Sequence, residues 1–299
     1  MVQPNRAGPR AALAALVALA LLLAPGAGCR VGGEESPPPG ADAAQLRITA
    51  DHGATALLEA PVAPGRSVLR TLRDQTEIDT SFGGGFVSGM FGRSSDASGR
   101  RDWFFFVNGV LAPIGARQAR VPALGDVWWD YRPWGALRDP WAVVGAWPAP
   151  FAGREVAADP PLRDALRNGG ARVVRRSPWR VRVGADAELR RREPAWAEAA
   201  EDPTANGLSA GIRGGRIIAL SEDGEELREV AGAGAVAVAL PTDGDASRGV
   251  LMVVAGRTAR HATRAAATIA TDPGVLAGRY AVVFDAEGRA IHAAGQGEL

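Results

Sequence analysis

Lysine is absent from this 299-residue chain: all 34 of its basic residues are arginine, set against 33 acidic ones. The bias is that of a GC-rich coding sequence. A balance so near zero leaves no global field to gather nucleic acid or acidic membrane lipid. Cysteine occurs once, at Cys29, so no internal disulfide can form and no second thiolate exists to complete a zinc site. The three histidines, His52, His261 and His292, have no metal-ligand spacing and read as surface residues. No apolar run reaches the roughly 20 residues that a membrane span needs. Aromatic residues are few, 18 in all, yet 14 of them lie between Phe82 and Phe151. With 46% hydrophobic and 22% charged residues, the chain is neither disordered nor fibrous. Its length suits two domains of roughly 150 residues.

The first 28 residues read as an export signal. Arg6 and Arg10 supply a positive start, and Ala11 to Ala24 is an unbroken apolar run of 14 residues. That is the length of a signal core rather than a span. Gly26, Ala27 and Gly28 then lead directly to Cys29. A cysteine after a cleavage region of small residues resembles the lipobox of bacterial lipoproteins, with Gly26 where an aliphatic residue is usual. The resemblance implies lipidation at Cys29 and an anchor on the extracytoplasmic face of the cell membrane. A plain secretory signal with an incidental cysteine is the alternative. Residues 29–43 are rich in Gly, Pro and Glu and read as a flexible tether too polar to pack.

A first domain is expected over residues 44–148. Leu46 to Ala50 and Thr55 to Glu59 alternate as a hairpin around Asp51-His52-Gly53-Ala54. Ser67 caps a short helix whose apolar stripe is Val68, Leu69 and Leu72. Phe82 to Met90 is a glycine-rich loop running into a strand. Trp103-Phe104-Phe105-Phe106-Val107 ends in Asn108-Gly109, a strong hairpin turn. Gly125-Asp126 feeds a final strand, Val127-Trp128-Trp129-Asp130-Tyr131.

In that order these motifs resemble the transcobalamin-like C-terminal domain, a family found in bacterial surface proteins and described there as of unknown function. The likeness covers about residues 45–132. It implies a β-grasp-like fold, a mixed sheet with one helix packed on it. In the animal cobalamin carriers the corresponding domain covers one side of the corrinoid ring, so the resemblance implies a corrinoid ligand or service to a cobalamin-type uptake transporter. The carriers' helical barrel has no counterpart here.

The residues themselves pose a packing question. Neighbours along a strand face opposite sides, so Trp103, Phe105 and Val107 share one face and Phe104 and Phe106 the other. Val127, Trp129 and Tyr131 likewise oppose Trp128 and Asp130. A small sheet with one helix buries only one face. Either a second domain covers the other, or an aromatic surface is left for a ligand or partner. Gly84, Gly85, Phe86, Trp103 and Trp129 are the residues expected to line such a surface. Trp141 to Trp147 reads as a further strand in the connector, wedged between the domains.

From residue 149 aromatics thin out, and alternating helices and short apolar strands predict a mixed α/β sandwich up to residue 299, giving an α+β protein overall. Ala235 to Leu240 and Val250 to Val254 read as fully buried strands. Ala187 to Ala200 reads as a helix broken at Pro194, and Arg180 and Arg182 as one solvated strand face. The chemistry of known enzymes is thin. Gly207-Leu208-Ser209-Ala210-Gly211 spells a nucleophile elbow, but with a strand expected after the serine instead of before it. Gly232 to Ala237 spells a dinucleotide motif that opens a strand, with no helix N-terminus for a pyrophosphate. The expectation is a non-catalytic envelope lipoprotein with no metal, no cofactor beyond a corrinoid as ligand, and no nucleic-acid partner. The alternative is a structural adaptor whose aromatic surface is an interdomain or protein–protein interface. A hydrolase built on the second half is a third reading.

Overall fold

The computed structural model describes residues 44–137 and 139–299; the expected signal, Cys29 and the tether lie outside them. The described residues belong to one compact unit with an α+β fold.

The first half contains β1 (Ala44–Ala50), β2 (Thr55–Val62), α1 (Val68–Gln75), β3 (Ile78–Ser81), β4 (Phe86–Met90), β5 (Arg93–Ser94), β6 (Arg101–Val107), β7 (Val110–Leu111) and β8 (Asp126–Pro133). Five of these strands form a sheet in the order β2-β1-β8-β6-β7. β1 runs parallel to β8, and each is flanked by an antiparallel neighbour, the β-grasp-like arrangement. Ala44, Leu46, Ile48 and Ala50, every second residue of β1, are buried and meet Val68, Leu69 and Leu72 of α1 in one core. Ser67 caps α1 by accepting a bond from Arg70 N at 3.3 Å. β3, β4 and β5 form a separate small sheet.

The second half contains β9 (Glu155–Ala158), α2 (Arg163–Asn168), β10 (Arg172–Val174), β11 (Arg180–Ala185), α3 (Asp186–Arg192), α4 (Pro194–Ala199), β12 (Ala210–Arg213), β13 (Arg216–Leu220), β14 (Leu227–Glu229), β15 (Ala233–Pro241), β16 (Val250–Gly256), α5 (Ala259–Thr271), β17 (Val282–Asp285), β18 (Ala290–Ala293) and β19 (Gly297–Glu298). Eight of its strands make one sheet, β10-β9-β11-β16-β15-β17-β18-β19, parallel from β10 to β16 and antiparallel beyond. β15 and β16 are buried on both faces, as their unbroken apolar sequences require. One face packs on α2 and α5. The other packs on α3, α4, the β12–β13–β14 sheet and the first half of the chain.

Both aromatic faces of the first sheet are accounted for. Trp103, Phe105, Trp129 and Tyr131 turn toward α1, with Phe105 stacked on Trp129 at 4.6 Å and Trp103 tilted on Tyr131 at 5.1 Å. Phe106 and Trp128 point the other way, are fully buried, and meet Tyr280 edge-on at 5.7 and 5.2 Å. The second half covers this outer face.

Three expectations are corrected. The connector around Trp141–Trp147 is not a strand: Ala142 makes one bridge to Val110, and Val144–Ala146 is a 3-10 turn. Gly145 passes so close to Arg279 and Trp128 that a Cβ would lie 2.7 Å from Arg279 N, and this approach needs a turn. His52 is not a surface residue; it is 1% exposed. Arg180 and Arg182 do not form a solvated face. β11 lies inside the sheet and α3–α4 packs over it, so Arg182 Nε bonds Glu193 Oε1 at 2.6 Å and Arg182 Nη1 bonds Ala157 O at 2.7 Å.

Glu193, with its side chain only 4% exposed, is the buried anion of that cluster. Removing one partner of a buried pair strands the other charge, at a cost of about 3–5 kcal/mol. Glu193→Gln should therefore lower the urea-unfolding free energy by about 3 kcal/mol or more, whereas Glu155→Gln, which breaks the exposed pair with Arg172, should cost about 1 kcal/mol or less.

Candidate functional site

The glycine-rich loop between β3 and β4 is the least conventional surface of the molecule. Ser81 is extended, then Phe82, Gly83 and Gly84 have φ of 50, 69 and 80° before Gly85 returns to the right-handed helical region. Consecutive positive φ values are cheap only for glycine. Phe82 is the exception, a bulky residue held where such residues are outliers. Its ring is 89% exposed and meets the half-exposed Phe86 edge-on at 6.1 Å. A strained backbone that displays a phenyl ring to water gains nothing from burial, and such strain clusters at functional sites.

A second loop borders the first. Arg117 Nη2 donates to Gly83 O at 3.1 Å, and Gly115 approaches Gly85 O closely. Ile114, beside Gly115, is 48% exposed. This second loop is itself tied to the start of α1, where Leu69 N bonds Ala116 O at 2.8 Å and Val68 N bonds Ala119 O at 3.0 Å. Arg73 of α1 completes the rim, its guanidinium reaching toward Gly84. At the other end of the β3–β4 hairpin an open cleft of about 940 Å³ is lined by Arg73, Glu77, Asp79, Met90 and Phe91 among others.

Of the five residues expected to line a binding surface, Gly84, Gly85 and Phe86 come together here. Trp103 and Trp129 do not: they are 4% and 3% exposed and lie in the core beneath α1. Alternation correctly pairs them on one face, but the helix takes that face, and periodicity carries no information about which face a helix covers. Phe82, Ile114, Arg73 and Arg117 were not picked out from sequence. Phe82 had a signal, since a phenylalanine set before three glycines (Gly83–Gly85) seldom has a core to enter. Arg73 and Arg117 had none, because only the tertiary fold brings α1 and the second loop to the glycines.

A second polar cluster lies deep between the two halves. Asp130 is fully buried and accepts from Thr49 Oγ1 at 2.6 Å, Gly53 N at 3.2 Å and Tyr280 OH at 3.0 Å. Trp128 Nε1 donates to Thr49 Oγ1 at 2.8 Å. Arg132, also fully buried, lies over the Phe104 ring at 3.9 Å and donates to Leu137 O at 2.6 Å. Burial raises the Asp130 carboxyl above its ordinary range, and the bonds from Thr49 and Tyr280 and the charge of Arg132 pull it back in part. Burial, then the charges of Arg132 and Arg101, hold His52 well below a free imidazole, and neither of its ring nitrogens has a hydrogen-bond partner. The cluster is enclosed and structural.

Elsewhere the chemistry is sparse. Among the described residues no group of three or more His, Cys, Asp or Glu side chains could hold a metal ion. Ser209 is buried, follows a turn and precedes β12, the reverse of an elbow. Gly232 to Ala237 opens β15, so no helix start stands there for a phosphate.

The Gly-Asp turn before β8 has its own titration. Burial pushes Asp126 up to about 7, with the charge of Arg47 opposing. A raised carboxyl is protonated in the folded state and ionised when unfolded, so the folded form loses stability as pH rises from about 4 to about 7. Asparagine keeps the neutral shape. In thermal melts, Asp126→Asn should gain on wild type over that pH interval, with a constant gap above it. A gap independent of pH would contradict the assignment.

Residues 65–132, from the approach to α1 through most of β8, match the model of a family described as a domain of unknown function, DUF4430. The match spans the glycine loop, the second loop and both aromatic strands, and leaves out β1, β2 and everything after residue 132. Neither a curated protein nor a solved structure matches the chain.

Proposed function

We propose that this is an exported, lipid-anchored protein of the cell envelope that binds rather than catalyses, and that the Phe82–Phe86 loop is its binding element. The observation that carries the reading is Phe82, which is 89% exposed and has a φ of 50°, a conformation bulky residues seldom adopt. The ligand class rests on the resemblance of residues 45–132 to the transcobalamin-like C-terminal domain: a flat molecule with apolar faces, a corrinoid above all, taken up on its own account or passed to a cobalamin-type transporter. Cys29 carries the lipid, and residues 29–43 hold the folded part off the bilayer.

The test is titration of residues 30–299, which contain the whole compact unit and need no detergent, with cobalamin and with cobinamide. Heat of binding and quenching of tryptophan fluorescence are expected, and Phe82→Ser should weaken binding about tenfold, the loss of one aromatic contact, without lowering the melting temperature. Absence of both heat and quenching for both compounds would end the corrinoid reading.

A second reading is favoured by a different observation. Phe106 and Trp128 are fully buried against Tyr280, so one aromatic face already serves to join parts of the chain. On this reading the protein is a structural adaptor, and the Phe82 loop docks on an envelope protein. A photo-crosslinking residue at position 82 should then trap one protein partner in cells while corrinoids give no heat.

A further inference from the structure

We propose that the space above Gly84 is an anion-binding subsite, so that the ligand of the aromatic loop is a flat, largely apolar molecule carrying a phosphate, sulfonate or carboxylate. This deepens the binding reading above and rests on the same loop, but not on the ligand being a corrinoid.

Position 84 has no side chain, and three donors converge on it. A Cβ there would lie 3.1 Å from Arg117 Nη2, 3.8 Å from Thr80 Oγ1 and 3.9 Å from Arg73 Nη2. Outside Gly83–Gly85 these are the three nearest heavy atoms, and all three belong to hydrogen-bond donors. They arrive from three separate segments: Thr80 from β3, Arg73 from α1 and Arg117 from the second loop. Gly84 itself has a φ of +80°, so any side chain would be strained there as well as filling the gap.

The donors are poorly satisfied by the protein. Among the described residues the side chains of Arg73 and Thr80 have no hydrogen-bond or ion-pair partner, and the Arg117 side chain has only Gly83 O. This is unlike Arg182 and Arg190, which find Glu193 and Asp186. Two guanidinium groups bordering one glycine repel each other. A planar oxyanion offsets that repulsion and matches the guanidinium fork, while a hydroxyl supplies a further donor. Phe82 and Phe86, on either side of the glycines, supply the apolar contact. Charge and ring together specify an amphipathic anion; a neutral hydrophobe would leave the arginines unused, and a bare inorganic anion would leave the rings unused.

The probes are a matched pair of dyes, 8-anilinonaphthalene-1-sulfonate and the uncharged N-phenyl-1-naphthylamine, titrated by fluorescence into residues 30–299. Phe82→Ser should weaken both. The double variant Arg73→Gln/Arg117→Gln should weaken the sulfonate about tenfold, the loss of charge-assisted contacts, and leave the neutral dye unchanged, with an unaltered melting temperature. Arg117→Lys should weaken it less than Arg117→Gln, and inorganic phosphate should compete with the sulfonate alone. Sulfonate affinity that is unchanged in the double variant, or unchanged in Phe82→Ser, would overturn the proposal, as would equal losses for both dyes. Failure of cobalamin and cobinamide to bind would remove the corrinoid reading and leave the dye result standing.

Discussion

The architecture turns on one carboxyl group. Asp130 sits at the seam between the two halves and accepts bonds from both, from Thr49 and Gly53 on one side and Tyr280 on the other. A carboxyl group buried without partners would be costly. Thr49 and Gly53 reach it within the first half, where β1 pairs with β8, and the bond from Tyr280 forms only when the second half lies against that sheet. The aromatic rings of Phe106, Trp128 and Tyr280 then close around it. Apolar burial supplies the attraction, and the bond from Tyr280 to Asp130 adds a directional contact between the halves. The first sheet is thus buried on both faces, although its own helix covers only one.

That arrangement explains what the sequence disclosed and what it withheld. Alternation assigned the faces of β6 and β8 correctly, and Ser67, Asn108-Gly109 and Gly125-Asp126 marked the ends of elements because capping and turn chemistry are local. β15 and β16 were legible because a strand buried on both faces has no polar alternate. The failures share one cause: each depended on a partner on another element, which the strand's own pattern does not reveal. Trp103 and Trp129 were expected at a surface because nothing in their own strands tells which face α1 takes. Arg180 and Arg182 looked solvated because Glu193, their counter-charge, lies on the far side of α3. His52 looked like an ordinary turn residue because Tyr280 and Gln296, which enclose it, come more than 200 residues later.

The glycine loop was partly legible for the opposite reason. A phenylalanine before three glycines violates the local consistency that most of the chain obeys, and sequences usually break local rules where function requires it. Phe82 is strained and exposed in the same fold that hides Trp103, Trp129, Phe106 and Trp128 from water. The aromatic enrichment of residues 82–151 therefore has two origins. Six of the fourteen rings pack in two cores on opposite sides of the first sheet, and Trp147 and Phe151 enter a third beside the eight-stranded sheet. Phe82, Phe86, Phe91 and Trp141 remain exposed.

The contact between Gln296 and the first hairpin has a consequence for how the chain matures. Gln296 Nε2 donates to His52 O and to Gly278 O, both at 2.9 Å, joining residues 244 positions apart. The opening hairpin cannot make this bond until Gln296 is available. The first sheet must wait with Phe106 and Trp128 uncovered, and such non-local closure is slow. Closure over the outer face of the first sheet is thereby tied to the last strands of the eight-stranded sheet.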